Sequence, residues 1–392
     1  MSTQVVVVGS GYAGSGAIKS LEAEIDDEID VTWISEHDYH LVLHEVHRVI
    51  RDPSIESKIT IPIEEIKSRS TRFVQGRVVD VDVEDRRIET DDGTTVDYDY
   101  LLLAIGSTTA FFGIEGLKEN AHQLKCLEDA RAIHDDVRAA ASEATQSEPA
   151  QVLVGGAGLS GIQTAGEIAE YRDKHRAPID VKLIEGLEEV FPGNDPEIQG
   201  ALRKRLEEAD IEILTGDFIS RADEESVYLG GGEEEEPEEL PYDVLVWTGG
   251  ITGHEELENV DVEKDDRSNR VVANSDFTTS DDRVFAIGDT ALVEQGSDEV
   301  APPTAQAAWQ AAEVAGENLA RAARGAPLKT WHHDDKGTVI SVGERAVAHD
   351  VAGVPISTFG GPGAKILKKG IASRWIAKVS STGRGVSAFG DM

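Results

Sequence analysis

Short unbroken apolar runs alternate with longer stretches of helical spacing along most of this chain. The runs Val5–Val8, Val31–Ile34, Tyr100–Ile105, Val152–Val154, Val181–Ile184 and Val284–Ile287 contain almost no polar residue. Runs of that length bounded by turn residues read as parallel strands buried on both faces, and the periodic stretches between them as the covering helices. The pattern predicts strand 4–8, helix 12–24 and strand 31–35, then a helix-like stretch at 40–50. Short β-rich segments over 72–90 and a turn at Asp92-Gly93 precede the strand Tyr100–Ile105. Helix 127–143 leads into a second strand-helix-strand unit at 151–185. Helix 196–209, strands near 211–216, 226–229 and 243–247, and a strand over 283–289 follow. An Ala-rich helix at 303–323 and two or three short strands over 338–359 end the series. This is an α/β chain with two doubly wound, Rossmann-like units and a small C-terminal β/α piece.

Both strand-to-helix turns carry the same glycine spacing. Gly9, Gly11 and Gly14 follow the first apolar run, and Gly156, Gly158 and Gly161 follow Val152–Val154. In G-x-G-x-x-G the first glycine makes the turn, the second lets backbone approach a pyrophosphate, and the third packs helix on sheet. Each unit also ends its second strand in an acid, Glu36 and Glu185, placed to accept hydrogen bonds from a ribose 2′-OH. One such fingerprint is a weak signal, but two imply two dinucleotides on one chain, a flavin supplied by a nicotinamide. No Arg follows Glu185, which favours NADH over NADPH. The strand 283–289 ends in Gly288-Asp289, and an Asp at a strand's carboxyl end lies where such sheets bind ligands. The reading divides the chain into an FAD-binding domain (1–107 and 265–330), an NADH-binding domain inserted in it (108–264), and a C-terminal domain (331–392).

Composition narrows the partners. The chain has 75 acidic residues against 37 Lys and Arg, a net charge of −38 over 392 residues. No basic footprint for nucleic acid exists overall, and self-repulsion on that scale suits a salt-rich cytoplasm. The one dense acidic run, Glu233–Glu236 with Glu238 and Glu239, reads as a solvated loop or hairpin tip. A single cysteine, Cys126, excludes an intramolecular redox pair. His40 and His44 are spaced i, i+4, but no ligand set completes a metal site there, nor at His332-His333-Asp334-Asp335, so no metal is expected. No apolar run is long enough to span a bilayer, and the first strand starts within a few residues of Met1, so a cytoplasmic protein is expected.

With these motifs the chain resembles the type II NADH dehydrogenases (NADH:quinone oxidoreductases) of the two-dinucleotide-binding-domain flavoproteins, over almost its whole length. Ala104-Ile105-Gly106-Ser107 and Trp247-Thr248-Gly249-Gly250 are similar to the two crossover segments of that family. Phe191-Pro192-Gly193 also follows the family pattern, and Ala286–Asp289 resembles its second flavin motif. Ala305–Gln310 resembles a stretch that lies at the quinone pocket, which implies Gln306 as the quinone ligand with Gln310 beside it. Two departures stand out. Gln163 occupies a position where the family commonly has Glu, and Val42-Leu43-His44-Glu45-Val46 replaces a segment usually found by the flavin. The resemblance implies FAD and NADH as cofactors and quinone as acceptor, with Gln163 able to position the nicotinamide.

Two other readings stay open: a soluble NADH-dependent reductase using a carrier protein or oxygen, and a non-catalytic NAD(H)-sensing flavoprotein. The tail is the last feature. Between Gly360 and Gly390 there is no acid, while Lys365, Lys368, Lys369, Arg374, Lys378 and Arg384 lie there. Ile366, Leu367, Gly370 and Ile371 would share one helical face, with Trp375 continuing the row and the first three lysines opposite. That composition fits a helix lying on anionic lipid, docking the protein on the inner face of the cell membrane. Packing of the same helix on the acidic body, or across a homodimer, is the alternative.

Overall fold

The computed structural model describes residues 2–25, 28–231, 236–296 and 299–391. Its first sheet has five parallel strands in the spatial order Val284–Ala286, Tyr100–Leu103, Thr3–Val8, Ile29–Ser35 and Arg72–Gln75. The second has four parallel strands, in the order Ile211–Thr215, Ile179–Glu185, Ala150–Gly155 and Val244–Trp247. In each, the strand feeding the glycine turn is interior and pairs in parallel with the strand that ends at the acid. Both turns therefore open at the carboxyl edge, where open α/β sheets bind ligands.

The sheets are covered as the apolar spacing requires. The helix Tyr12–Glu24 packs on the Ala-rich helix Ala305–Ala323. Small residues let these two helices approach closely. A Cβ on Gly16 would fall 2.7 Å from the Ala312 side chain, and one on Gly316 would fall 2.5 Å from the Ala17 carbonyl oxygen. Thr304 caps the Ala-rich helix by accepting the Ala307 N–H. Cys126 is spent as an N-cap: its sulfur accepts the Asp129 N–H of the helix Leu127–Glu143, and burial pushes its thiol up to about 12. A thiol so held is inert.

Three short antiparallel strands over 338–360 carry the C-terminal helices Pro362–Val379 and Thr382–Asp391. Of the acidic run, Glu233–Glu235 lie outside the described residues, and Glu238–Pro241 is a strand paired with Ser226–Leu229.

Two expectations fail. Residues 40–50 are not one helix. Tyr39–Leu41 is a strand paired with Thr60–Pro62, followed by a single 3-10 turn at Leu43–Glu45 and one helical turn at Arg48–Arg51. His40 and His44 thus do not share a helix face, and burial holds both imidazoles down near 4. The basic tail also differs from the face drawn for it. Trp375 and Lys368 are buried, and Leu367 packs on the small cluster formed by Ala346, Ala348 and Ala364. Lys365 pairs with Glu344, Lys378 with Glu313, and Arg384 with Glu65. The cations are held by the acidic body because burying the Trp375 side turns them inward.

Candidate functional site

The two glycine turns match in mechanical detail. Gly9 has φ +105°, and a Cβ there would lie 2.1 Å from the Ala104 carbonyl oxygen; one on Gly14 would lie 1.9 Å from Gly9 O. Gly156 has φ +90° and is crowded by Gly249, and a Cβ on Gly161 would lie 1.8 Å from Gly156 O. The middle glycines are the opposite. A Cβ on Gly11 or Gly158 meets nothing within 4 Å. Each is the N-cap of its helix, and no side chain caps either end. Two uncapped helix ends, each beneath a space cleared by a glycine, fit two pyrophosphates.

Around the first turn, Gly288 (φ +69°) approaches Ala13, where a Cβ would fall 2.9 Å from the alanine's. The Gly106 N–H donates to Thr290 Oγ1 at 2.8 Å, and Ser107 Oγ lies 3.3 Å from Asp289. Lys125 donates to Ser107 Oγ at 3.1 Å. Burial lowers the Lys125 pKa, although Asp289 favours its charge. Glu36 is exposed just past the strand Ile29–Ser35.

Glu185 is already engaged. Its carboxylate accepts the Ala157 N–H at 2.8 Å and the Leu187 N–H at 3.1 Å, so the acid also braces the second glycine turn. Gly249 lies against Trp247, whose ring would meet a Cβ at 2.2 Å.

Gln163 lies two residues beyond Gly161 and is buried. Its amide oxygen accepts from Lys368, and its amide nitrogen lies 3.4 Å from His47 Nδ1. Lys368 is also 3.6 Å from Glu45, which holds Arg48 in a second ion pair. Burial opposes the Glu45 charge, but Lys368 and Arg48 outweigh it and hold the carboxyl far below its usual range. One turn along the same helix, Glu167 is fully buried with Arg51 at 3.2 Å. There burial wins, and its pKa is raised to about 7 despite Arg51 and Arg48. Arg51 reaches out to the half-exposed Glu344 at 2.5 Å.

Tyr12, at the start of the first helix, meets His44 and packs at a 50° tilt on Trp375, with ring centres 4.9 Å apart. Trp375 in turn donates to His40 Nε2 at 2.8 Å. Elements from both glycine units and the tail thus converge on one buried ionic and aromatic seam. Sequence reasoning missed Glu45, Glu167, Lys125 and Lys368. For Glu45 and Glu167, an acid in an otherwise apolar or small-residue stretch was the available signal; Lys125 and Lys368 lie among other polar and charged residues and carried none.

Gln306 and Gln310 sit together at the start of the Ala-rich helix. Gln306 accepts the Lys336 N–H at 2.8 Å and donates to the Gly337 carbonyl at 3.2 Å. Gln310 accepts from and donates to the Asp334 main chain at 3.0 and 2.8 Å. Both amides clamp the 334–337 segment. Among the described residues no group of His, Cys, Asp and Glu could hold a metal ion, and no helix is long and apolar enough to cross a membrane.

A family model described as pyridine nucleotide-disulphide oxidoreductase matches residues 3–312. A protein named Type II NADH:quinone oxidoreductase from Staphylococcus saprophyticus is 29% identical over 401 residues, covering 97% of this chain and 96% of that protein. Its namesake in Staphylococcus aureus is 28% identical over 402 residues, with the same coverage. Among solved structures, NDH2 from Plasmodium falciparum in complex with NADH aligns with a TM-score of 0.84 at 17% identity, over 99% of this chain and 98% of that one. The sulfide:quinone oxidoreductase from Aquifex aeolicus aligns with a TM-score of 0.81 at 18% identity, over 98% and 93%. At those identities the structures speak for the fold. Two glycine turns of one geometry, on two parallel sheets spanned by a single family model, place the chain: it belongs to the pyridine nucleotide-disulphide oxidoreductase family.

Proposed function

We propose that this protein is a type II NADH:quinone oxidoreductase, an FAD-dependent NADH dehydrogenase. The observation that carries the reading is the pair of uncapped helix ends under Gly11 and Gly158, one on each parallel sheet. FAD would be held by Gly9, Gly11, Gly14, Glu36, Gly106, Gly288 and Asp289, and when bound it supplies two-electron hydride chemistry. NADH would take Gly156, Gly158 and Gly161 for its pyrophosphate and Glu185 for its ribose, with Gly249 at the crossover. The two sheets and the tail support a division into an FAD-binding domain at 1–107 with 265–330, an NADH-binding domain at 108–264, and a C-terminal domain at 331–392. The balanced reaction is NADH + H⁺ + quinone → NAD⁺ + quinol, so one proton per turnover comes from solvent.

The chain's own residues orient and exclude water. Gln163, pinned by Lys368 and His47, presents a fixed amide beside the second glycine turn, where it would position the nicotinamide. Gln306 spends one N–H on Gly337 among the described residues, leaving the other for a quinone carbonyl, with Gln310 holding the wall behind it. Cys126, spent as an N-cap and inert, leaves no route for thiol chemistry. The exposed apolar residues Ile366, Ile371, Val386 and Phe389 on the last two helices support docking on a membrane surface at the inner face of the cell membrane, in a respiratory chain. The acid excess supports a halophilic setting.

The test is purification in high salt, a flavin absorption spectrum, and NADH oxidation with and without a short-chain quinone. Bleaching by NADH and reoxidation by quinone support the reading. Reoxidation by a carrier protein alone, or by nothing, refutes it.

A further inference from the structure

The nicotinamide half of the site ends on two side chains that the reaction leaves unused. Leu187 and Phe218, large apolar residues at the carboxyl edge of the second sheet, are 50% and 64% exposed. Full burial of either would contribute about 1.5–3 kcal/mol. Leu187 follows Gly186 in the chain and the Phe218 ring lies against Gly186, so one glycine is flanked by two exposed apolar side chains, a surface fit for a ligand.

The main chain fixes their place. The Gly216 N–H donates to the carbonyls of both Glu185 and Leu187, at 3.0 and 3.1 Å, strapping the turn after Ile211–Thr215 across residues 185–187. The Phe218 carbonyl accepts the Gly230 N–H at 2.8 Å. A Cβ on Gly186 would fall 2.2 Å from Phe218 Cδ1, so the ring lies on that backbone and a side chain at 186 would displace it.

Glu185 sets the direction. Its carboxylate is tied to Ala157 inside the glycine turn and to Leu187 on the far side. The residue after Glu185 in the chain is Gly186, and the Phe218 ring lies upon it. A dinucleotide with its pyrophosphate on the helix end and its ribose on Glu185 has its base directed at that ring. We propose that Phe218, backed by Leu187, is the stacking platform for the adenine of NADH. This inference rests on the NADH reading above. Stacking needs a π-face and no base-specific hydrogen bond, so the platform favours ligands that carry the adenine over nicotinamide mononucleotide, which lacks it.

The full-length flavoprotein is titrated calorimetrically with ADP-ribose and, separately, with nicotinamide mononucleotide. Phe218→Ala should weaken ADP-ribose binding about 5- to 100-fold, the range for loss of one base–aromatic stack, and leave the mononucleotide unchanged. Phe218→Trp, which keeps a π-face on Gly186, should retain wild-type affinity, with indole emission quenched by ADP-ribose. Phe218→Leu separates stacking from packing, because it fills the same contact without a π-face; it should resemble the alanine variant. If wild type binds ADP-ribose and is bleached by NADH while Phe218→Ala or Phe218→Leu binds within twofold of wild type, the platform is refuted and the NADH reading stands. If wild type neither binds ADP-ribose nor is bleached by NADH, the reading beneath falls and the platform with it.

Discussion

Replacing Glu45 by Gln removes the negative charge from the buried seam while preserving its shape. Glu45 is the carboxylate that pairs with both Arg48 and Lys368, and all three side chains are at most 5% exposed. Without it, two cations remain in a low-dielectric site. Breaking a buried pair from one side typically costs about 3–5 kcal/mol, because the partner's desolvation is no longer offset. Lys368→Met should cost less, about 1–3 kcal/mol, since Glu45 keeps Arg48 and only the Gln163 carbonyl loses its donor. The double variant should then be less destabilised than the sum by about 1–3 kcal/mol, because removing Lys368 relieves one of the cations that Glu45→Gln strands. Urea unfolding at fixed high salt measures all three, the uncharged denaturant leaving ionic strength untouched. Raising the salt should not erase the difference, as screening acts weakly on buried pairs. The pH dependence has a definite sign. The folded pKa of Glu45 is depressed, so its contribution is present above the ordinary value of 4.5 and is lost as pH falls below it. Wild type and Glu45→Gln should converge in acid. A variant within about 0.5 kcal/mol of wild type at neutral pH, or a strictly additive double variant, would refute the seam as an ionic lock.

Glu167 should show the reverse sign. Its folded pKa is raised from 4.5 to about 7, so wild type should lose stability as pH rises through that window and level off above it. The interval corresponds to about 3 kcal/mol; Glu167→Gln should flatten that slope, and an unchanged slope would remove Glu167 as its source. Gly11→Val should fold with a near-native circular dichroism spectrum, because a side chain there meets no protein atom, yet lack bound flavin; stoichiometric flavin in the variant would displace the cofactor from that turn. Ile366→Glu, at a residue 60% exposed, should lose sedimentation with anionic liposomes while keeping turnover with a soluble quinone. Equal liposome binding would move the docking surface elsewhere. The point variant is the cleaner test, since truncation at Gly360 would also remove Trp375 and Lys368 from the interior.

Both glycine cradles were legible because their geometry is local. The close approaches at Gly9–Ala104 and Gly156–Gly249 cross the chain, but the demand for glycine at those positions arises within one strand-turn-helix unit. The same holds for the parallel strands, whose unbroken apolar runs follow from burial on both faces. The stretch 40–50 misled because His40 and Leu41 belong, with Tyr39, to a two-strand pairing with Thr60–Pro62, and strand partners outside the window leave no periodic trace.

Sequence alone determined the two dinucleotide-shaped turns, the acids that follow them, and the absence of a second thiol, since each is a property of neighbouring residues or of composition. Only the tertiary structure decided what the charges do. Lys368 and Gln163 lie 205 residues apart, and nothing in either segment announces the other. The tail read by itself is a basic surface helix. Folded, Trp375 is buried against Tyr12 and Trp309, and that burial rotates Lys368 into the seam and Lys365 and Lys378 onto acids of the body. The reason is physical: one large aromatic side chain leaving water outweighs exposed charge pairs worth at most about 1 kcal/mol each. The apolar contact sets the orientation, and the lysines take the partners it brings within reach.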